Sequence, residues 1–269
     1  MKLRFVKLDP TGNTTILVST PVPRAEQPRV AERLMASENL CAEQVGFIEA
    51  PTLSGARARL QMAGGEFCGN ASMSMGAILA RDNGLACGSE AEIVLEVSGA
   101  NGPVPCRIRR NGEAAFSGAV RMPLPEEITE TALPDGRRMP LVRFRGIAHM
   151  IVPGDALSPA EAEKIIPILC ASLNVDALGI LMVWDELSRL RPLVYVRATD
   201  SAIWESGCGS GSAALGAYAA LRAGREISLD IAQPGGTITA RAACSDGAVR
   251  EIEIRGNVRL VAEGEAYID

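Results

Sequence analysis

The sequence predicts an α+β protein built from two similar halves, and three observations lead to that fold class. A short motif occurs twice, as Cys68-Gly69-Asn70 and as Cys208-Gly209-Ser210, each time ahead of a run of small and apolar residues. Each run is followed by a similar strand pattern, at 92–97 and again at 226–231. Strand patterns also outnumber helix patterns. We therefore expect each half to wrap antiparallel strands around one principal helix, with a ligand-binding cleft between the halves.

In the first half, apolar runs bounded by turn residues predict the strands, and the small-residue run after Cys68 predicts the principal helix. The segment 9–13 contains Pro10 and Gly12, which suit the turn of a β-hairpin. The expected elements are strands at 3–8 and 14–18, a helix at 27–37, strands at 44–50 and 56–62, the helix from the cysteine motif to about 82, and a strand at 92–97.

The second half repeats this order around Cys208, and Gln233-Pro234-Gly235-Gly236 predicts a turn between two of its strands. The expected elements are strands at 140–144 and 149–152, a helix at 159–173, strands at 177–184 and 192–197, the helix that follows Cys208, and a strand at 226–231. The segment Pro123-Leu124-Pro125-Glu126-Glu127 interrupts the pattern and is the best candidate for a linker. The predicted domains are 1–121 and 122–255, with the C-terminal strand 256–269 completing the first.

Composition excludes several classes of protein. The net charge of −5 comes from acidic and basic residues that are interspersed, so nothing in the chain resembles a surface for binding nucleic acid. The N-terminal segment is charged and has no apolar core, which indicates neither a signal peptide nor a membrane span, and we expect a cytoplasmic protein. The seven cysteines show no CxxC spacing, so neither a disulfide framework nor a metal site is predicted.

The doubled motif places Cys68 and Cys208 at the N-termini of predicted helices. Unpaired backbone N–H groups and the helix dipole stabilise an anion there, so we expect them to lower the pKa of each thiol and make a thiolate base available. The same N–H groups can bind a carboxylate. Two such helix ends facing one pocket would suit inversion of an amino acid at its α-carbon, with Cys68 and Cys208 as the catalytic residues.

Longer stretches carry a resemblance to a known family. They are 41–49 (CAEQVGFIE), 65–71 (GEFCGNA), 203–211 (IWESGCGSG) and 266–269 (AYID). From Gly12-Asn13 through both cysteine motifs to Gln233-Pro234-Gly235-Gly236, the chain resembles the diaminopimelate epimerase-like superfamily of cofactor-independent amino-acid racemases and epimerases. Within that superfamily, the four stretches resemble the histidine racemases of staphylopine-type metallophore pathways. The resemblance implies two pseudo-symmetric domains, each a barrel-like antiparallel sheet around a central helix. It also implies that one thiolate removes the α-proton and the opposite thiol returns a proton.

The resemblance further implies which residues bind the substrate. The α-carboxylate and α-amino group would be held by backbone and side-chain amides at positions that match family motifs, namely Asn13, Gln44, Gly69, Asn70, Gly209 and Ser210. It implies no cofactor, no metal and a homodimer, with an amino acid as the small-molecule substrate.

Departures from the diaminopimelate epimerases point to a different substrate. The Glu-Arg pair that grips the distal amino-acid group in those enzymes is absent from 199–204, and apolar residues occupy 146–149 and 178–181 where two Asn residues would lie. A buried distal charge without partners would be costly, so diaminopimelate is disfavoured and an aromatic or neutral side chain fits better. The resemblance to the histidine racemases implies that this substrate is histidine. Glu43 and Glu205 are the candidates to bind an imidazole ring. Glu205 would serve equally well to cap the helix after Cys208 or to orient its thiol.

Other interpretations stay open at this point. The chain would keep the same chemistry as a diaminopimelate epimerase or a racemase of another amino acid. From other classes, it would be a non-catalytic amino-acid-binding protein or a redox switch in which Cys68 and Cys208 form a disulfide. The only histidine, His149, is interpreted as an ordinary strand residue, and Trp204 either lines the pocket or fills an interface. The Gly-rich segment 207–211 lacks the lysine of a phosphate-binding loop.

Overall fold

The computed structural model describes residues 1–269 and divides the chain into two compact units. Unit 1 comprises Met1–Arg121 and Arg255–Asp269, and unit 2 comprises Met122–Ile254. The division after Arg121 lies just ahead of the proline-rich segment that begins at Pro123. Each unit combines a large sheet with two α-helices, so the α+β class is confirmed. No helix is both long enough and apolar enough to cross a membrane.

Unit 1 is a ring of eight strands. The helices and strands are β1 (Lys2–Pro10), β2 (Thr15–Val18), α1 (Gln27–Met35), β3 (Gln44–Glu49), β4 (Arg59–Met62), α2 (Gly69–Asp82), β5 (Glu90–Val97), β6 (Pro103–Arg110) and β7 (Ala115–Arg121). The last strand of the chain, β16 (Ala248–Tyr267), completes the order β1-β2-β3-β4-β5-β6-β7-β16. Antiparallel pairing of β16 with β1, from Lys2 opposite Tyr267 to Pro10 opposite Val258, closes the ring.

Helix α2 is the central helix of this ring and packs against β1, β2 and β4–β7. Many of its residues are Gly, Ala or Ser and most are buried, which lets the helix backbone approach the strands closely. A Cβ atom added at Gly118 of β7 would lie 2.9 Å from the Cβ of Met73 in α2. Helix α1 lies elsewhere, against β3, where Val30 and Leu34 join a separate apolar cluster.

Unit 2 repeats the arrangement of one sheet and a central helix. Its elements are β8 (Glu127–Ala132), β9 (Arg138–Phe144), β10 (Ile147–Pro153), α3 (Pro159–Ser172), β11 (Ala177–Trp184), β12 (Arg189–Val196), β13 (Ser201–Trp204), α4 (Gly209–Ala223), β14 (Ile227–Gln233) and β15 (Gly236–Ser245). The strand order is β16-β15-β14-β12-β11-β10-β9-β8, with β13 paired to β12. Helix α4 packs on β9, β10, β14 and β15, while α3 packs on β11 and β12.

The predicted principal helices and most predicted strands are confirmed, including the helix that begins at Pro159 and the turn between Gln233 and Gly236. The strand expected from residue 56 begins only at Arg59. Sequence patterns missed β6, β7, β8, β13 and β15. Several of these strands contain Pro, Gly or many charged residues on one face, and their pairing partners rather than an apolar run hold them extended.

Candidate active site

Cys68 is the N-cap residue of α2, and its thiol is held by polar groups of unit 1. The Cys68 sulfur accepts a hydrogen bond from the Ala71 N–H at 3.4 Å, in the manner of a capping side chain. The thiol donates to Oε1 of Gln44 at 2.7 Å, and the Ser72 hydroxyl donates to the Cys68 carbonyl at 2.7 Å. The side chain of Cys68 is half-buried. These contacts present its sulfur at the open end of the helix.

Cys208 has the same position at the N-terminus of α4. The Gly211 N–H donates to its sulfur at 3.3 Å, and the Ser212 hydroxyl donates to its carbonyl at 2.8 Å. Gln233 adds a clamp that the sequence analysis missed, because it was interpreted only as part of a turn. Its Oε1 accepts from the Cys208 N–H at 2.8 Å, and its Nε2 donates to the Ser212 hydroxyl at 2.8 Å. The two copies of the motif therefore form the same local structure, in which a cysteine side chain caps the helix that follows it.

The predicted lowering of the thiol pKa is wrong for Cys208. Burial raises the pKa of the Cys208 thiol well above its ordinary value, and the nearby carboxylate of Glu205 raises it further. Hydrogen bonds from the Ser210 hydroxyl and the Gly211 N–H lower the pKa, but they do not outweigh the loss of solvation. The helix N-terminus does stabilise a thiolate, but the loss of solvation at this nearly fully buried side chain has the larger effect on the pKa. Cys208 is accordingly a thiol in the resting protein.

Glu205 is hydrogen-bonded to the Cys208 thiol. Its backbone N–H is held by the Pro192 carbonyl at 3.0 Å, which fixes the segment between β13 and α4 to β12. Of the three roles considered for Glu205, this contact favours the one in which the carboxylate orients the thiol. A carboxylate in this position can also accept the proton of the thiol.

Glu43 and Gln44, neighbours in sequence, take part in two separate hydrogen bonds, one with Asn13 and one with Cys68. Nδ2 of buried Asn13 donates to Oε2 of Glu43 at 2.8 Å, and Gln44, the next residue, accepts from the Cys68 thiol. Oδ1 of Asn13 is buried and has no hydrogen-bond partner. Burial raises the pKa of the Glu43 carboxyl, the Asn13 hydrogen bond opposes this, and Asp9 adds to the rise. Four of the predicted site residues are thus brought together in unit 1.

The segment that carries Glu43 is anchored at several points. Lys7 Nζ donates to the carbonyls of Leu40 and Cys41 at 2.7 and 2.9 Å, and the Glu43 N–H donates to the Thr14 carbonyl at 2.9 Å. Half-buried Glu43 is therefore placed by its backbone as well as by Asn13. One of its carboxylate oxygens accepts from Asn13.

The remaining predicted residues lie in the first turns of the two central helices. Gly69 and Asn70 begin α2, and Gly209 and Ser210 begin α4. The first N–H groups of a helix have no acceptor within the helix, so these positions offer donors to an anion. Ser210 also contacts His149, whose Nε2 lies 3.0 Å from the Ser210 Oγ. The interpretation of His149 as an ordinary strand residue missed this contact, because β10 and α4 meet only in the folded unit.

Trp204 is partly buried at the edge of the core of unit 2. Its ring packs against the core cluster around α3, its Nε1 donates to Oε1 of Glu163 at 2.6 Å, and the guanidinium of Arg191 lies 4.3 Å from its ring centroid. No group of three or more His, Cys, Asp or Glu side chains is arranged to hold a metal ion.

Comparison with known proteins gives consistent matches. A family model described as "Histidine racemase CntK N-terminal domain" matches residues 2–267. A histidine racemase of Fusobacterium nucleatum subsp. nucleatum is 33% identical, covering 99% of this chain and 97% of the relative. A histidine racemase of Staphylococcus aureus (strain Mu50) is 29% identical, covering 99% and 98%.

A similar solved structure is that of a Bacillus anthracis phenazine biosynthesis protein of the PhzF family. It superposes with a TM-score of 0.72 at 17% identity and covers 100% of both chains. At this identity the likeness concerns the fold alone.

Proposed function

Because the chain belongs to the histidine racemase family, we propose that it interconverts L- and D-histidine by proton transfer between two cysteines, Cys68 and Cys208. The chain is an isomerase, and the family resemblance is confirmed. One observation carries the two-cysteine proposal. Both cysteines of the doubled motif cap their helices in the same way, and each thiol contacts a polar side chain suited to fix or exchange its proton.

The reaction requires an anion site, a base and an acid. In the proposed mechanism the first N–H groups of α2 and α4, at Gly69, Asn70, Gly209 and Ser210, hold the substrate carboxylate, which also helps the α-carbon to lose its proton. Asn13 and Gln44 contribute side-chain amides, and the unpaired Oδ1 of Asn13 would accept from the α-ammonium group. No metal or cofactor is required for this scheme.

The two thiols would enter the reaction differently. Cys208 lies beside the Glu205 carboxylate, which can take its proton and leave a thiolate base. The Cys68 thiol donates to a neutral amide, Gln44, and is set up as the acid that returns a proton. For the opposite enantiomer the roles exchange, as reversibility demands. A two-base mechanism needs the thiols on opposite faces of the α-carbon.

Recognition of the imidazole ring is assigned to Glu43. Asn13 holds one carboxylate oxygen of Glu43, and we propose that the other accepts the imidazole N–H of the substrate. Its raised pKa reflects a half-buried position, where a hydrogen bond to a carboxylate is stronger than in water. In this proposal Glu205 contacts the Cys208 thiol and does not bind the substrate side chain.

Isotope exchange tests this proposal directly. In deuterium oxide, the metal-free and cofactor-free protein is expected to place deuterium at the α-carbon of both L- and D-histidine. Cys68→Ser and Cys208→Ser should each slow racemisation by roughly 10²–10⁴-fold, the range for loss of a positioned proton-transfer group. Cys244→Ser, a buried cysteine outside the motif, is the matched control and should retain activity. Full activity in either motif variant would contradict the two-cysteine mechanism.

A substrate panel separates the alternatives. Exchange with diaminopimelate but not with histidine would overturn the substrate while leaving the mechanism intact. Binding of histidine without exchange would indicate an amino-acid-binding protein, and activity that depends only on the oxidation state of the thiols would indicate a redox switch.

The biological setting of the reaction is a further part of the proposal. D-histidine is expected to supply the synthesis of an opine-type metallophore, in a cytoplasmic homodimer. Deleting the gene should abolish secretion of the metallophore into the culture medium. Adding D-histidine to the medium should restore it. Sedimentation should give twice the mass of one chain, and cell fractionation should place the protein in the cytoplasm. A monomer or a secreted protein would contradict the respective parts.

A further inference from the structure

His149 is the only histidine in the chain, and it is fully buried beside the second thiol. It lies on β10, and its Nε2 is 3.0 Å from the Ser210 Oγ. That oxygen is in turn 3.5 Å from the sulfur of Cys208. Three side chains from β10 and the start of α4 therefore form a continuous polar chain that ends at the sulfur.

The imidazole of His149 is neutral. Burial alone lowers its pKa to about 3, since no charged group contributes to the shift. A neutral ring carries one N–H, on either Nδ1 or Nε2. The choice decides which way the hydrogen bond to Ser210 runs.

Nδ1 is buried and has no hydrogen-bond partner. It faces Gly179, the residue paired with His149 on the neighbouring strand β11, and a Cβ atom added there would lie 2.2 Å from Nδ1. An N–H on Nδ1 would be a buried donor without an acceptor, and such donors are rarer in folded proteins than unsatisfied acceptors. The surroundings therefore favour the tautomer with hydrogen on Nε2.

The direction of the chain follows from that tautomer. With hydrogen on Nε2, His149 donates to the Ser210 Oγ, and the hydroxyl proton of Ser210 is free to point at the Cys208 sulfur. With hydrogen on Nδ1, Nε2 would accept the hydroxyl proton and turn it away from the sulfur. The two states thus offer Cys208 opposite hydrogen-bonding partners.

We propose that His149 is a positioning residue whose Nε2–H holds the Ser210 hydroxyl as a donor to Cys208, so that a hydrogen bond is ready for the thiolate when it forms. The inference rests on the proposed function, in which Cys208 becomes a thiolate. Other groups also face this sulfur. The Gly211 N–H donates to it, and the Glu205 carboxylate is hydrogen-bonded to its thiol.

The tautomer can be read directly by nitrogen NMR. Because the chain has a single histidine, protein labelled with ¹⁵N in histidine gives one pair of ring signals. We expect Nε2 to be the protonated nitrogen and the ring to stay neutral throughout the pH range in which the protein is folded. A protonated Nδ1 in the neutral ring, or a cationic ring near neutral pH, would overturn the proposal.

Alkylation of Cys208 by iodoacetamide, followed by mass spectrometry of its peptide, tests the consequence. His149→Gln keeps an N–H donor at about the same reach, whereas His149→Met has a similar length and no donor. We expect the Met variant to be alkylated about threefold to tenfold more slowly than the Gln variant, because its thiolate is less stabilised. A merely structural role predicts the opposite sign, since loosening the site exposes a buried thiol and speeds alkylation.

Alkylation of Cys208 in the Ser210→Ala variant is a second measurement, and by itself it does not depend on how well the Met variant folds. Ser210→Ala should slow alkylation by itself, and adding His149→Met to it should bring no further slowing, because His149 acts only through Ser210. Independent, additive effects would overturn the proposal. Alkylation reports on the thiol alone, so a failure here is distinguishable from a failure of racemisation in the exchange experiment.

Discussion

At the scale of single residues, two copies of one motif have acquired different chemistry. Cys68 and Cys208 cap their helices alike, yet the first thiol faces the neutral Gln44 and the second faces the carboxylate of Glu205. Burial adds to the difference, because Cys208 is almost fully buried and Cys68 is half-buried. A nearby negative charge and low solvation both disfavour a thiolate. The resting state of Cys208 is therefore the thiol, and in the proposed mechanism Glu205 takes its proton before Cys208 acts as a base.

Replacing Glu205 with Gln should separate these two effects. Without the carboxylate the pKa of the Cys208 thiol falls, since that charge raises it, and Cys208 should be alkylated faster near neutral pH. Racemisation should nevertheless slow by at least roughly tenfold, because the proton acceptor is lost. Glu32→Gln, at an exposed position of α1, is the control. Slower alkylation in the Glu205 variant would show that the carboxylate does not set the state of the thiol.

Replacing Glu43 with Gln tests recognition of the substrate side chain. The amide oxygen can still accept from Asn13, but a hydrogen bond from imidazole to a neutral amide is weaker than one to a carboxylate. We expect KM for histidine to rise by roughly tenfold while kcat changes less, in steady-state racemisation assays. The Glu32→Gln variant again serves as the reference. A loss confined to kcat would place Glu43 in proton transfer instead.

At the scale of elements, small residues allow the central helix of unit 1 to fit inside its ring of strands. Gly76 of α2 lies against Ile108 and Cys106 of β6, where an added Cβ would be 3.0 Å from the Ile108 side chain. Gly118 of β7 leaves no room for a Cβ beside Met73. Packing at this distance holds the N-terminus of α2 at a defined place in the ring. The position of the Cys68 sulfur therefore depends on the packing of residues that are far from it in the chain.

Gly118→Ala should cost stability through this contact. The new methyl group would meet the Cβ of Met73, which is bonded directly to the helix backbone and cannot rotate away. We expect the free energy of unfolding in denaturant to fall by about 1–3 kcal/mol, the usual cost of overpacking. Gly102→Ala is the control, because nothing lies within 4 Å of an added Cβ there. An unchanged unfolding midpoint for Gly118→Ala would contradict this account of the packing.

At the scale of the whole molecule, unit 1 is completed by the end of the chain. Strand β16 pairs with β1, and Ile268 is buried in the apolar cluster that also holds Leu3 and Phe5. The N-terminal and C-terminal residues thus belong to one folded unit, while the segment between Met122 and Ile254 belongs to the other. The ring of unit 1 is therefore built from two segments of the chain, 1–121 and 255–269.

Ile268→Ala should weaken unit 1 selectively. Removing this buried side chain is expected to lower stability by about 2–5 kcal/mol, and hydrogen exchange should show faster exchange in 1–121 and 255–269 with little change in 122–254. Tyr267→Ala, whose ring is 71% exposed, is the neighbouring control. Equal loss of protection in both units would show that they unfold as a single cooperative body.

Much of this protein could be predicted from its sequence because the relevant signals are local. The doubled Cys-Gly motif, the apolar runs and the turn residues predicted both central helices, the α+β class and the candidate thiols. Strands such as β6 and β7 were missed because their charged or small residues are held extended by pairing across the sheet, which no local pattern records. The helix-end argument for a low thiol pKa failed at Cys208 for a similar reason, since burial is a property of the folded unit.

The two repeated helix starts, their capping cysteines and the family to which the chain belongs could be predicted from short segments of the sequence. These follow from short segments whose residue types prescribe a backbone conformation. The contacts that Gln44, Gln233 and His149 make at the helix starts were decided by the fold, because these residues lie on other strands. Proton affinity depends on charge and solvation within a few ångströms, and those neighbours are assembled only when distant strands pair.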